Sequence, residues 1–196
     1  AQMTLDISPE KVSQTSARLG IKTPLENVWS IGLGSQVVTP LEQSNFYATI
    51  ARNGVRRDPR AVSEAITPGG TKLQLKYPKG FRAMEDWQAV TIRDILRDNV
   101  LGGTGTTASS VEDAAGKTGT TDDSKDAWFC GMTPELTACV WMGYNIPTPM
   151  SGVAGGGTPT TIWRDFMGAA IENVPDREWE PATSEPNWVP WSSQWQ

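Results

Sequence analysis

The sequence predicts a mixed α/β fold of the α+β type, with an antiparallel central sheet and helices on both of its faces. Two patterns carry this prediction. A strand pair around Cys130 and Cys139 is apolar on both faces, and such a pair belongs in the middle of a layered domain. Apolar side chains between residues 162 and 171 recur at helical spacing, which indicates a helix packed against a core. A chain of 196 residues is long enough to bury such a core.

Local signals place the first helices. Ser8 followed by Pro9 and an acidic turn predicts a helix start, and Gly20 predicts its end. The run Thr39-Pro40-Leu41-Glu42 is a capping box that begins the next helix, which Asn53-Gly54 closes.

Two further helices are predicted from apolar spacing. One covers about residues 86 to 100, and Thr158-Pro159 caps the last one after a glycine turn. We expect the apolar faces of the three longer helices to be buried. Their expected members are Leu41, Phe46, Tyr47, Ile50, Ala51, Trp87, Val90, Ile95, Leu96, Ile162, Trp163, Phe166, Met167, Ala170 and Ile171.

Two hairpins are predicted. Residues 61–66 and 71–75 flank the turn Pro68-Gly69-Gly70. Residues 128–132 and 137–141 are joined by a two-residue turn at Pro134-Glu135, and this register sets Cys130 opposite Cys139 at a non-hydrogen-bonded pair. A disulfide there would indicate an oxidising, extracytoplasmic setting, whereas two packed free thiols would not; both remain open at this point.

Composition narrows the chemistry. The formal charge of −5, with scattered Lys and Arg, argues against a nucleic-acid partner. The chain has no histidine, which removes Ser–His catalysis and every histidine-bearing metal site within it. The general base is therefore expected to be Lys, Asp, Glu or Tyr, or to lie outside this segment. We also expect no metal and no cofactor. The chain opens as though within an element, and we interpret it as a piece of a longer protein.

The stretch from Ala114 to Thr121 carries the chemistry. If it is extended, Thr118 and Thr120 share one face and Gly119 between them lets a ligand approach the backbone closely. Two hydroxyls, free edge N–H groups and the charge of Lys117 together can receive a carboxylate.

Three other interpretations of this region compete with this one. A phosphate-binding P-loop would need glycine at residue 111, which is Val111, so that reading fails. A chance Lys-Thr-Gly tripeptide on an ordinary strand is a second. The third is a carboxylate acid–base or metal site at Asp122, Asp123 and Asp126, although loop carboxylates are usually solvated.

Seven motifs in one order decide between them. With them the chain resembles, from about Ser8 to Ile171, the C-terminal part of the transpeptidase domain of penicillin-binding proteins, and most of all the class A bifunctional enzymes, which also carry an N-terminal glycosyltransferase. The motifs are Leu33-Gly34-Ser35 with Thr39 to Glu42, Tyr47 to Val55, Gly103 to Ala108, Gly116 to Thr121, Lys125 to Phe129, Gly131 to Leu136, and Gly155 to Trp163 with Phe166-Met167.

The resemblance implies roles for the central stretch. The family attacks D-Ala-D-Ala stem peptides with a serine of a Ser-x-x-Lys motif, and β-lactams acylate the same serine. Lys117 and Thr120 would then be catalytic residues, with the N–H of Thr120 forming half of the oxyanion hole. Thr118, Gly119 and Thr120 would bind the carboxylate of the substrate or the β-lactam. Strict alternation points Lys117 away from the Thr118 face, so either strand twist or an edge position must bring its ammonium round.

The resemblance also implies what lies elsewhere. Ser13, Ser35, Ser110 and Ser124 each lack a lysine three residues on. We expect this chain to lack both Ser-x-x-Lys and the family's Ser-x-Asn motif, so that an upstream part of the same protein supplies them and this chain alone is inactive. The alternatives to a transpeptidase are a D,D-carboxypeptidase, a serine β-lactamase, and a non-catalytic protein that binds peptidoglycan or a partner protein.

The domain organisation follows from the same reading. Residues 1–172 are predicted as the C-terminal part of the transpeptidase domain, and residues 173–196 as a Pro- and Trp-rich tail. The tail carries Trp179, Trp188, Trp191 and Trp195, which predicts that part of it packs back on the domain; a carbohydrate- or partner-binding tail is the alternative. The resemblance implies a location at the outer face of a bacterial cell membrane, with the membrane anchor outside this segment.

Overall fold

The structure, a computed structural model, describes residues 2–186. Four of its five helices are the predicted ones, and the short first helix was not predicted. The helices are α1 (Gln2–Ile7), α2 (Pro9–Leu19), α3 (Pro40–Ala51), α4 (Asp86–Gly102) and α5 (Thr158–Ile171). Short 3₁₀ segments cover Trp29–Leu33, Thr106–Ala108 and Asp122–Ser124. In the described part of the chain, none of the helices combines the length and apolar character needed to cross a bilayer.

The predicted helix caps form as expected, with one shift. The Oγ of Ser8 accepts the Lys11 N–H, and Gly20 ends α2 with a φ of 137°. Thr39 and Glu42 form the reciprocal capping box of α3. The N-cap of α5 is Gly157, one residue before the Thr158 that the sequence suggested.

Within residues 2–186, seven strands form three antiparallel sheets. Their bounds are β1 (Val55–Arg56), β2 (Ala65–Ile66), β3 (Lys72–Leu73), β4 (Phe81–Arg82), β5 (Ala115–Thr120), β6 (Asp126–Met132) and β7 (Thr137–Gly143). The predicted hairpin around Pro68-Gly69-Gly70 is the β2–β3 pair, with two residues in each strand, while β1 pairs with β4. The central sheet has the order β5-β6-β7.

The predicted register of the β6–β7 hairpin is confirmed. Cys130 lies opposite Cys139, and Trp128 lies opposite Trp141. The N–H of Thr133 donates to the carbonyl of Leu136 at 2.8 Å, which closes the two-residue turn and makes the cysteine pair a non-hydrogen-bonded one. Of the two possibilities left open by the sequence, the structure has the disulfide, with a Cα–Cα distance of 4.1 Å.

Helices cover both faces of the central sheet, as predicted. On one face Phe129 meets Trp163 of α5 edge-on at 5.1 Å between ring centroids, and Met167 and Val100 complete a fully buried cluster. On the other face Met132 packs with side chains of α3 and α4, including Ile50 and Leu96. The sheet is therefore the middle layer of a mixed helix and sheet domain.

Four side chains predicted to be buried are exposed. Leu41 and Ile95 are each 62% exposed, Ile162 is 45% exposed and Phe166 is 55% exposed. Ile95, Ile162 and Phe166 each lie one residue from a buried side chain, and one residue turns a helix by about 100°. Apolar spacing identifies a stripe on a helix, but only the packed partner decides which part of that stripe is covered.

The tail packs back on the domain as far as the structure describes it. Trp179 stacks on the buried guanidinium of Arg93 at 4.7 Å, and its Nε1–H donates to the carbonyl of Asp113 at 3.1 Å. Thr183 donates its N–H to Asp86 at the start of α4 at 2.7 Å. The tail thus runs along α4. Trp188, Trp191 and Trp195 lie outside the described residues.

Candidate active site

Strand β5 carries the predicted site and forms one edge of the central sheet. The N–H of Thr121 donates to the carbonyl of Asp126 on β6 at 3.0 Å. Backbone groups of an antiparallel strand point alternately toward and away from the partner strand. The N–H groups of Thr118 and Thr120 therefore point away from β6, toward the open edge. Such an edge can accept an extended peptide as an additional strand.

The side chains of β5 divide between the two faces as alternation requires. Thr118 lies opposite Phe129 and Thr120 opposite Ala127, so the two hydroxyls share the Phe129 face. A Cβ on Gly119 would lie 3.4 Å from the Cβ of Trp128, an ordinary contact. Packing does not require a glycine at this position, and the absence of a side chain on Gly119 leaves room for a ligand beside the backbone.

Lys117 lies on the opposite face, but its ammonium reaches the open edge. Its Nζ donates to the carbonyl oxygen of Thr118 at 2.9 Å, and that carbonyl points away from β6. The side chain is exposed. The edge position of β5 therefore brings the Lys117 charge to the same side as the free N–H of Thr120, which strand alternation alone had not allowed.

Two neighbouring segments contact the hydroxyls of β5. The Oγ1 of Thr104, in the loop after α4, lies 2.6 Å from the Oγ1 of Thr118. The N–H of Gly155 donates to the Oγ1 of Thr120 at 3.0 Å. The Nδ2 of Asn99 donates to the carbonyl of Gly116 at 2.8 Å. Sequence reasoning assigned no role to Asn99 or Gly155, since only the fold brings them to β5.

Two of the three acidic residues after β5, Asp123 and Asp126, have side-chain partners. Asp126 accepts a hydrogen bond from Nε1 of Trp141 at 2.9 Å, and Asp123 pairs with Lys125 at 3.3 Å. Among the residues that the structure describes, no group of three or more acidic or cysteine side chains could hold a metal ion. A hollow of about 520 Å³, lined by residues such as Val111 and Arg164, lies away from this edge.

One expectation about the nucleophile was wrong. Ser8-Pro9-Glu10-Lys11 does have the Ser-x-x-Lys spacing, and the sequence reasoning overlooked it. In the structure Ser8 caps α2, since its Oγ accepts the backbone N–H of Lys11 at 3.5 Å. Helix α2 packs against α1, α3 and the segment Trp29–Leu33, whereas α4 is the helix that packs along β5. The structure therefore brings this serine to a helix end and not to Lys117.

Comparison with known proteins assigns this chain to a family. A family profile described as the penicillin binding protein transpeptidase domain matches residues 2–168. The chain belongs to this family.

Its relatives are class A penicillin-binding proteins, as the motifs predicted, and the chain matches their C-terminal portion. It is 32% identical over 167 residues to penicillin-binding protein 1A of Aquifex aeolicus, covering 83% of this chain and 23% of that protein. It is 30% identical over 187 residues to penicillin-binding protein 2D of Bacillus subtilis, covering 90% of this chain and 27% of that protein. The chain thus spans about a quarter of the length of these relatives.

Solved structures agree on the fold. The crystal structure of penicillin-binding protein 1A from Haemophilus influenzae matches with a TM-score of 0.83 and 22% identity, over 93% of this chain and 34% of that one. The structure of PonA1 from Mycobacterium tuberculosis in complex with penicillin V matches with a TM-score of 0.75 and 23% identity, over 90% of this chain and 53% of that one. The predicted fold class is confirmed.

Proposed function

We propose that this chain supplies one wall of the active site of a serine D,D-transpeptidase, which cross-links peptidoglycan stem peptides ending in D-Ala-D-Ala and is inhibited by β-lactams. The observation that carries the proposal is the open edge of β5. There the Lys117 ammonium, the hydroxyls of Thr118 and Thr120 and an outward N–H converge on one exposed strand segment.

The edge suits a substrate that is both a peptide and an anion. An extended stem peptide can pair with the outward backbone groups of Thr118 and Thr120. The two hydroxyls then lie along one side of the bound peptide and can donate to its terminal carboxylate. Lys117 adds positive charge at the same edge and would hold the proton-transfer serine of the second motif. In a β-lactam, the carboxylate next to the lactam ring would occupy the same position.

The N–H of Thr120 has the direction that an oxyanion hole needs. When a serine attacks the scissile carbonyl, the oxygen becomes negatively charged, and N–H donors already in place stabilise it. Removing one such donor costs about 10²–10³ in rate in other acyl-transfer enzymes. The nucleophile's own N–H would be the second donor. The acyl-enzyme would then be resolved by an acceptor amine of a neighbouring stem peptide.

The nucleophile is proposed to lie on an upstream part of the same protein. Ser8 is engaged as the cap of α2, and α4 is the helix beside β5. On this proposal the chain alone is inactive, and residues 1–172 complete a transpeptidase domain that begins earlier.

The proposed location is the outer face of the bacterial cell membrane, with the membrane anchor outside this segment. The Cys130–Cys139 disulfide supports an oxidising compartment. The peptidoglycan partner proposed here is found in that compartment.

Labelling with a fluorescent penicillin, followed by mass spectrometry of the adduct, tests the proposal. We expect no label on residues 1–196 alone and a single serine adduct, upstream of this chain, on the full-length protein. Replacing Ser8 by Ala should leave the full-length labelling unchanged. An adduct on Ser8 would overturn the upstream assignment. Complete absence of label would favour a non-catalytic binding protein, and rapid loss of the label by hydrolysis would favour a β-lactamase or carboxypeptidase.

A further inference from the structure

A hydrogen-bonded chain joins α4 to the hydroxyl of Thr118. Asn99, near the end of α4, donates through Nδ2 to the carbonyl of Gly116 at 2.8 Å. Its Oδ1 accepts both the N–H and the hydroxyl of Thr104, each at 3.1 Å. The Oγ1 of Thr104 lies 2.6 Å from the Oγ1 of Thr118. Because Nδ2 must donate to Gly116, the orientation of the amide is set, and Oδ1 is the atom that faces Thr104.

The loop is built tightly around Asn99. The N–H groups of Gly103 and Gly105 both donate to the backbone carbonyl of Asn99, at 3.0 and 3.1 Å. A Cβ on Gly103 would lie 2.6 Å from Asn99 Oδ1, and one on Gly156 would lie 2.5 Å from the carbonyl oxygen of Thr104. Close backbone approach on both sides therefore holds Thr104 in place beside Thr118.

We propose that Asn99 and Thr104 are positioning residues that aim the hydroxyl of Thr118 at the substrate carboxylate. This inference rests on the proposed function, because it assigns a task to residues behind the same strand edge. Asn99 acts through Thr104, and Thr104 acts through Thr118.

The positions of the hydroxyl protons explain how this series of hydrogen bonds works. Three oxygens, Asn99 Oδ1, Thr104 Oγ1 and Thr118 Oγ1, share two hydroxyl protons. When Thr118 turns its proton toward a carboxylate, Thr104 can turn its own proton toward Thr118 Oγ1. Asn99 Oδ1 then still accepts the N–H of Thr104. No polar atom is left without a partner, and a donor behind Thr118 polarises its hydroxyl toward the anion.

The test compares two β-lactams that differ only in the carboxylate: one free acid and its methyl ester. Acylation rates of the full-length protein are measured with each. Thr104→Val removes the donor behind Thr118 with little change in side-chain size, at an exposed position. We expect its rate with the acid to fall about tenfold, as for the loss of one hydrogen bond, while the rate with the ester stays within twofold. Thr104→Ser, which keeps a hydroxyl, should retain the parent protein's ratio of acid to ester acylation rates.

Thr107→Val is the matched control. It removes a hydroxyl from the same loop, one that donates to the carbonyl of Gly156 at 3.0 Å. We expect it to leave the ratio of acid to ester rates unchanged. If Thr104→Val slows both compounds equally, the role of Thr104 is structural, and if it slows neither, Thr104 has no role in acylation. Either result overturns the inference while the proposed function stands. If the parent protein reacts with neither compound, the proposed function fails, and this inference fails with it.

Discussion

Gly155 donates its backbone N–H to the Oγ1 of Thr120 at 3.0 Å, and this contact seats the turn before α5 directly on the candidate site strand. The approach is possible only without a side chain. A Cβ on Gly155 would lie 2.5 Å from the carbonyl oxygen of Gly119 and 2.6 Å from that of Trp128. The carbonyl of Gly155 in turn accepts the buried hydroxyl of Thr160, at 2.6 Å.

We therefore predict that Gly155→Ala damages both stability and the site. The new methyl group meets backbone atoms on two strands, which cannot move like a flexible side chain, and overpacking of this kind costs about 1–3 kcal/mol. Chemical denaturation measures the loss. Gly168→Ala is the control, since its Cβ would meet no heavy atom within 4 Å beyond its chain neighbours and its own helix backbone, and alanine is the better helix former. Equal stability of the two variants would contradict the prediction.

Lys117→Ala tests the charge at the strand edge. We expect the acylation rate of the full-length protein by penicillin to fall on the order of 10²-fold, because the variant removes positive charge beside the developing oxyanion. Lys125→Ala removes one charge from the loop that follows β5, where the ammonium pairs with Asp123 at 3.3 Å. That control should acylate at nearly the parent rate. An unchanged rate for Lys117→Ala would refute the role assigned to it.

The disulfide should contribute measurably to stability. Cys130 and Cys139 are nine residues apart in the chain, and closing a loop of that size stabilises by about 2–3 kcal/mol in the chain-entropy account. We expect the double variant Cys130→Ala/Cys139→Ala to lose about that free energy of unfolding. Reductant should lower the midpoint of the parent and leave that of the double variant unchanged. If reductant affects both alike, the disulfide is not the cause.

The features that were predicted correctly depend only on residues close together in the sequence. The caps at Ser8 and Thr39 need only a few residues of context, and the register at Cys130 follows from the length of one turn. The contacts that build the candidate site could not be predicted in this way. Asn99 and Gly155 lie 17 or more residues from their partners on β5, and only the packing of α4 and α5 on the sheet brings them together.

Exposure was predicted least well, for a related reason. Phe166 and Trp163 have the same apolar character and lie on the same helix, yet one is 55% exposed and the other is fully buried. Periodicity gives the spacing of a stripe but not its angle to the sheet, which depends on the partner surface. The signal for Thr104 was present in the motif Gly103 to Ala108, although its contact with Thr118 was not.

The docked tail should stabilise the domain through Trp179. We predict that Trp179→Ala lowers the free energy of unfolding by about 2 kcal/mol, less than the loss for a fully buried tryptophan because this ring is half-buried. The change also removes the cation–π partner of the buried Arg93. Trp29→Ala, at a side chain that is 59% exposed, is the control and should change stability by less than about 0.5 kcal/mol. Equal losses would mean that the tail contact is not stabilising.

Acid should weaken the tail contact through Asp86. The hydroxyl and then the N–H of Thr183 donate to this carboxylate, and with the N–H groups of Trp87 and Ser184 they outweigh the effect of burial and lower the pKa of Asp86 from 3.8 to about 2. Because the folded-state pKa is the lower one, the unfolded chain binds more protons between these values. The stabilisation is therefore present above about pH 4 and is lost as the pH falls toward 2.

We expect the difference in free energy of unfolding between the parent and Asp86→Asn to shrink over that range, as measured by denaturation at several pH values. Glu42, whose pKa is also about 2, is common to both proteins and cancels in this comparison. A difference that stays constant from pH 5 to pH 2 would show that the charge of Asp86 does not hold the tail.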